Sequence, residues 1–262
     1  MNNKLIILGS GAAPGVPSIS SGWGACNPDN PKNMRQRAGV YLTDGTTKIL
    51  VDTSPDLKNQ LVQNNIKVLD GVLYTHTHAD HLHGIDDLRG ITRNIGKNLN
   101  FYAVAPHIAE IKERFAYTLS NIEHHDITNR PELLPVEIKC NEKFNLGTFE
   151  IMPLEFGGHT MITTGYCFND GQVVLVPDFK HIPKQTLDYL LQIDVNVLIM
   201  PLTILHGGRY HADIDIILSY ASQIKANRVV LTHMATECDY DEVMNLTPDN
   251  MEPAFDGMII EF

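Results

Sequence analysis

The 262-residue chain is predicted to be an α/β protein whose mixed β-sheets are covered by helices. Two segments share one local design: Lys48-Ile49-Leu50-Val51 runs into Asp52, and Val173-Val174-Leu175-Val176-Pro177 runs into Asp178. After each apolar strand the pattern turns helical, around residues 56–64 and 183–191, and then apolar again at 71–74 and 195–200. Strand, helix, strand is thus repeated, which hints at two similar halves. Between them, apolar strands near 101–104, 148–154 and 162–168 alternate with polar or helical stretches such as 108–116.

The composition, 43% hydrophobic and 19% charged, is that of a globular chain able to bury a sizeable core. There is no low-complexity tract, no repeat of solenoid length and no evident linker, so residues 1–262 read as a single domain. No long uncharged apolar run is present, and the N-terminus lacks a signal-peptide core and cleavage site; a cytoplasmic protein without a membrane partner is expected. The four cysteines, Cys26, Cys140, Cys167 and Cys238, are widely scattered without a C-x-x-C pair, which suggests buried free thiols. The net charge of -11 repels phosphate backbones and favours a small substrate over polymeric nucleic acid, although carboxylates that hold divalent ions would be neutralised.

The first glycine cluster, Gly9-Ser10-Gly11-Ala12-Ala13-Pro14-Gly15, follows a strand but fails as a dinucleotide fingerprint. Its third glycine position holds Pro14, and with Pro17 this disfavours a helix N-terminus on a pyrophosphate. A structural or substrate-shaping loop is expected instead. Residues 18–33, rich in Gly, Asn, Pro and Ser and carrying the only tryptophan, Trp23, read as a long surface loop of the kind that often borders a site.

The run Thr75-His76-Thr77-His78-Ala79-Asp80-His81-Leu82-His83-Gly84 lies where a strand ends. Imidazole and carboxylate donors suit zinc, manganese or iron, and at alternate positions they let one loop serve neighbouring metals. A solvated polar loop is the plain alternative, but packing alone does not call for such density. His159 after Gly157-Gly158, Asp178 at a strand end, and His233 after Val229-Val230-Leu231-Thr232 fit the same picture, because ligands at one end of parallel or mixed strands converge in space.

The order H-x-H-x-D-H followed by a distant His, an Asp and a last His resembles the metallo-β-lactamase superfamily. The resemblance implies an αβ/βα four-layer sandwich with two mixed β-sheets, and two divalent metal ions. His76, His78 and His159 would hold one ion, Asp80, His81 and His233 the other, and Asp178 would bridge them. Asp52 matches an acidic residue that orients the ligand loop through the outer nitrogen of an imidazole. The opening Gly9-Ser10-Gly11 through Gly15-Val16-Pro17, Asp87-Leu88-Arg89-Gly90, Gly165-Tyr166, Tyr210-His211 and Phe255-Asp256-Gly257-Met258 further resemble the branch of PhnP-type cyclic phosphodiesterases, relatives of the transfer-RNA 3'-processing nucleases.

This branch implies a phosphodiesterase acting on a small, cyclic phosphodiester or nucleotide through a metal-bridging hydroxide. Asp80 and His211 are its candidate catalytic residues. His211 matches a non-ligand histidine that can protonate or stabilise a leaving alkoxide; its plain reading is a surface histidine before a helix over 213–224. His206 lies near and could compete with it. Arg89 either meets a phosphate or pairs with Asp86 or Asp87. His83, His107, His124, His125 and His181 read as surface or packing residues.

Two departures stand out. The early loop retains only Cys26 of the branch's structural zinc site, and Met234-Ala235-Thr236-Glu237 follow His233, so no structural zinc is expected and other contacts must order residues 18–33. Pro177 also replaces the common Ser or Thr before the bridging aspartate. Three rivals remain: a thioesterase or lactonase on the same fold, an RNA-processing nuclease, and a non-catalytic small-ligand-binding protein. A homodimer is plausible from the frequency of such assemblies.

Overall fold

The computed structural model describes residues 3–120 and 130–262; His124 and His125 lie outside them. The chain forms β1 (Lys4–Gly9), β2 (Gly39–Thr43), β3 (Lys48–Val51), α1 (Leu57–Gln63), β4 (Gly71–Leu73), α2 (Ala79–Leu82), α3 (Leu88–Ile95), β5 (Leu99–Ala103), α4 (Ala105–Arg114) and β6 (Leu133–Glu137). There follow β7 (Phe144–Leu146), β8 (Phe149–Phe156), β9 (Thr163–Phe168), β10 (Val173–Leu175), α5 (Lys184–Leu190), β11 (Val197–Pro201), α6 (Ile214–Ile224), β12 (Arg228–Thr232), α7 (Tyr240–Leu246), β13 (Met251–Pro253) and β14 (Ile259–Glu261).

Two seven-stranded sheets result, ordered β14-β1-β2-β3-β4-β5-β6 and β13-β12-β11-β10-β9-β8-β7. Each is half antiparallel and half parallel. The change falls at β3, antiparallel to β2 and parallel to β4, and at β10, antiparallel to β9 and parallel to β11. These are the two strands with the shared sequence design: Asp52 directly follows β3, and Asp178 comes three residues after the end of β10.

The continuous apolar runs follow from burial of both faces of each sheet. Leu5, Ile7, Ile49, Val51, Val173, Leu175, Val197, Ile199 and Val230 fill the space between the sheets. Their alternates turn outward: Ile6, Leu8, Leu50 and Val72 pack with Leu57, Leu61, Ile91 and Ile111 of α1, α3 and α4. Val174, Leu198, Val229 and Leu231 pack with Leu190, Ile217, Ile224 and Val243 of α5, α6 and α7. Three apolar layers separate four structural ones, so the architecture is the αβ/βα sandwich.

Local signals place the helices. Pro106 at the second position of α4 surrenders no intrahelical bond, and the Asp213 side chain caps α6 by accepting from Ile216 N. Residues 18–33 form turns that pack on the segment after His233. Ala25 N donates to Thr236 O at 2.8 Å and Asn27 N to Asp239 Oδ2 at 2.9 Å. The buried Arg35 guanidinium ties the loop down, donating to Cys238 O at 2.8 Å and Asn33 Oδ1 at 3.0 Å, with Cys26 Sγ at 3.8 Å. The first glycine cluster is likewise a close-packing element, since a Cβ on Gly9 would lie 2.1 Å from Arg37 O.

Candidate metal centre

The clustered residues lie on the connections that leave the ends of β3, β4, β8, β10, β11 and β12. Asp52 follows β3; Thr75, His76 and His78 follow β4, with Asp80 and His81 on the single turn of α2. His159 comes from the loop after β8, Asp178 from the loop after β10, and His233 from the residue after β12. Asp52 and His233 adopt left-handed backbone conformations, with φ of 64° and 55°. Such torsions are uncommon for residues with a Cβ and recur where the fold aims a functional side chain.

All seven sequence-predicted ligands come together. His78 Nδ1 lies 3.1 Å from His76 Nε2 and 3.0 Å from His159 Nε2. His233 Nε2 lies 3.3 Å from His81 Nε2 and 3.2 Å from Asp80 Oδ2, and His81 Nε2 lies 3.3 Å from Asp80 Oδ2. Donors about 2.0–2.1 Å from a tetrahedral zinc ion stand roughly 3.3 Å apart along each edge; the second trio has the size of such a face, and the first has two edges of that length with all three donors within 4.8 Å of one another. Asp178 Oδ2 sits between them, 3.4 Å from His233 Nε2, 3.7 Å from His81 Nε2 and 3.9 Å from His159 Nε2. Its other oxygen is buried without a hydrogen-bond partner. An orphaned buried carboxylate oxygen costs free energy unless something else satisfies it, and a cation would do so. The donor set therefore fits divalent ions.

The outer nitrogens are occupied, as metal-binding imidazoles require. His81 Nδ1 faces Asp52 Oδ2 at 2.7 Å, His159 Nδ1 faces Tyr210 O at 3.1 Å, and His76 Nδ1 faces Thr75 Oγ1 at 3.0 Å. His78 is turned the other way, with Nε2 2.8 Å from Thr160 Oγ1. Thr203 Oγ1 lies 3.1 Å from His233 Nδ1. Asp52 accepts from Thr75 N and from Thr75 Oγ1, both at 2.8 Å, so it binds the start of the ligand loop as well as His81.

Electrostatics agree with a cation site. Burial works to raise the Asp80 carboxyl, but His81 and His233 overcome it and hold the group well below the carboxylate range. Asp178 is likewise held far down against burial, chiefly by His233 and His81. Burial drives the His76 imidazole well below its ordinary value, and the charge of His81 adds to this. His81 is raised despite burial by Asp80 and Asp52, so without metal it holds a proton that an ion would displace.

His211 joins the cluster: its Nδ1 is 3.9 Å from Asp178 Oδ2 and its ring centroid is 4.8 Å from that of His159. Its loop is clamped to the centre, because Tyr210 O receives His159 Nδ1–H while Lys180 Nζ donates to Gly208 O at 2.7 Å and His211 O at 3.3 Å. Burial pushes the His211 imidazole down to about 4, leaving it neutral at pH 7. Arg89 is not brought in. It lies on the outer helix layer, donates to Asp86 Oδ2 at 2.8 Å, and lines a groove with Lys58, Leu61 and Lys67.

The remaining histidines have local work. His107 is buried against Ile162 O, and His83 meets Arg114. His206 is exposed. The residues that sequence reasoning passed over are the threonines beside the ligands, Thr75, Thr160 and Thr203. Thr75 and Thr160 adjoin predicted histidines in the chain, which was the available signal; Thr203 adjoins none.

The model of the beta-lactamase superfamily domain matches residues 47–234, and the chain belongs to the metallo-β-lactamase superfamily, in its PhnP-like branch. Among solved structures, a diphosphatase from the PhnP family superposes with a TM-score of 0.87 and 27% identity, covering 99% of this chain and 98% of that one. Among curated relatives, an octanoyltransferase of Porphyromonas gingivalis is 27% identical over 97% of this chain and 51% of its own length. A ribonuclease Z of Clostridium perfringens is 25% identical over 53% of this chain and 47% of its length. The chain thus spans about half the length of the curated relatives it matches. Family, fold and donor cluster together support a metal-dependent hydrolase. Among the described residues, no helix is long and apolar enough to cross a membrane.

Proposed function

We propose that the protein hydrolyses a small phosphodiester or diphosphate-linked nucleotide at a two-metal centre. His76, His78 and His159 would hold one divalent ion, Asp80, His81 and His233 the other, and Asp178 would bridge them. The observation that carries this is the position of Asp178 Oδ2 between the two trios, within 3.9 Å of an imidazole nitrogen from each. Ions bound there supply Lewis acidity and bring the pKa of water toward neutrality.

The chain's own residues do the rest. Asp52 holds His81 and the Thr75 backbone, which keeps the ligand loop in shape before any ion arrives. Asp80 is a ligand whose carboxylate form is secured by two imidazoles. His211, neutral at pH 7, stabilises the leaving oxygen as a hydrogen-bond donor instead of giving up a proton as imidazolium. The likeness to a PhnP-family diphosphatase favours attack at phosphorus. Small substrates are favoured over RNA by the net charge of -11, although a ribonuclease Z is among the relatives.

A carbonyl substrate is the second reading, favoured by the octanoyltransferase relative. Hydrolysis of bis(p-nitrophenyl) phosphate, 2',3'-cyclic nucleotides and an acyl thioester by metal-analysed protein separates the two. Metal-dependent turnover of the diesters, lost in Asp80→Ala, is expected. Two bound metals with turnover of the thioester alone would transfer the assignment to acyl chemistry.

A further inference from the structure

Thr203 follows β11 and faces two imidazoles with one hydroxyl: Oγ1 lies 3.1 Å from His233 Nδ1 and 3.1 Å from His211 Nδ1. We propose that Thr203 is a positioning residue that fixes His211 as the tautomer carrying its proton on Nε2. The inference rests on reading His233 as a ligand and His211 as the group at the leaving oxygen.

The argument is a count of protons. As a metal ligand through Nε2, which lies among Asp80, His81 and Asp178, His233 turns its lone pair into the cluster and carries its ring proton on Nδ1. That proton is donated to Thr203 Oγ1. A hydroxyl has one proton of its own, and with an acceptor position already used it donates that proton to the remaining neighbour, His211 Nδ1. Nδ1 of His211 is then an acceptor, and the neutral ring must carry its hydrogen on Nε2. No hydrogen bond to a described residue ties up that Nε2, which leaves it free to meet substrate.

Without the hydroxyl, the donor that keeps Nδ1 an acceptor is lost; a neutral imidazole then divides its hydrogen between both nitrogens, and part of the population carries it on the wrong side of the ring. Thr203 is itself well anchored for this task. Its carbonyl accepts from Ala235 N at 3.2 Å, and the preceding Leu202 N donates to Thr232 O at 2.8 Å. The hydroxyl therefore joins a metal ligand to the leaving-group residue, and one hydrogen-bond chain sets the polarity of both rings.

The test uses zinc-loaded protein, in which long-range nitrogen–proton NMR reads which ring nitrogen of His211 is protonated. Wild type and Thr203→Ser should show hydrogen on Nε2; Thr203→Val, isosteric but without the hydroxyl, should shift it wholly or partly to Nδ1. With metal content unchanged, Thr203→Val should lower kcat on a 2',3'-cyclic nucleotide by about 10–100-fold, and Thr203→Ser should restore it. The loss on bis(p-nitrophenyl) phosphate, whose leaving group needs less help, should be smaller. Retention of the Nε2 proton in Thr203→Val overturns the proposal, as does loss of zinc in proportion to activity. If His211→Ala is silent on every diester, the role of His211 fails, while the tautomer measurement still decides that of Thr203.

Discussion

Asp52 and Asp178 hold equivalent places in the two halves of the molecule, yet the structure surrounds them with opposite hydrogen-bond environments. Each directly follows, or nearly follows, the strand at which its sheet changes from antiparallel to parallel, β3 in one half and β10 in the other. Asp52 is saturated by the protein: Oδ1 accepts from Thr75 N, and Oδ2 from Thr75 Oγ1 and His81 Nδ1. Asp178 is not, since Oδ1 has no partner and Oδ2 sees imidazole nitrogens at 3.4–3.9 Å. A buried carboxylate satisfied by protein donors orients its neighbours; one with an oxygen left unsatisfied among imidazoles is built for a cation. The strand-plus-carboxylate pattern is shared, and the donors around it decide the role.

Removing the bridging carboxylate breaks this contrast at its strong end. Asp178→Ala should bind fewer than two metals by elemental analysis and lose more than about 100-fold in diester turnover, beyond the range typical of residues that only orient ligands. Two tightly held ions in that variant would show that Asp178 is no more a ligand than Asp52. On the same side, His211→Ala should keep both metals and lose about 10²–10³-fold in kcat, the scale of a removed transition-state hydrogen bond. Burial holds its pKa near 4, so protonation sets in only as pH falls toward that value. A wild-type activity limb between pH 6 and 7 that vanished in His211→Ala would contradict its neutral role.

The matching change in the other half is milder. Asp52→Asn keeps the shape but presents an amide NH₂ to one of three donors, so metal affinity should fall about 10–100-fold while stoichiometry is kept at saturating metal. Isothermal titration of apo-protein with zinc reads this directly. A variant indistinguishable from wild type would mean that the Asp52–His81 contact does not tune the centre.

The halves also differ in how much of the site could be read from the chain. Four proposed ligands of the first half, His76, His78, Asp80 and His81, fall within one six-residue run, dense enough to be recognised without a fold. In the second half His159, Asp178 and His233 stand singly, and only the ends of β8, β10 and β12 bring them together. The continuous apolar runs that hold β3, β10 and β12 were legible because both sheet faces are buried. Short elements such as α2, whose residues include Asp80 and His81, and the three-residue β7 and β13 are too brief for periodicity to show. The Thr203 hydroxyl was invisible for a different reason. A threonine's worth depends on which rings lie within hydrogen-bond reach of it, here 3.1 Å, and the chain order of Thr203, His211 and His233 does not contain that distance.

Arg89 offers the weakest test of the same contrast. It and His211 are the two residues expected to meet substrate from outside the ligand set, one in each half, and only His211 reaches the cluster. Arg89 sits on α3 of the outer layer, nearly half exposed, in an i,i+3 pair with Asp86. Exposed pairs of this kind contribute about 0–1 kcal/mol, because water screens the charges and both side chains lose freedom. Arg89→Ala should therefore change thermal stability little and leave diester turnover within about twofold, since neither its partner nor its groove contains a clustered residue. A rise of tenfold or more in KM for a phosphodiester, with kcat kept, would place a substrate phosphate on α3 and extend the site into the first half's helix layer.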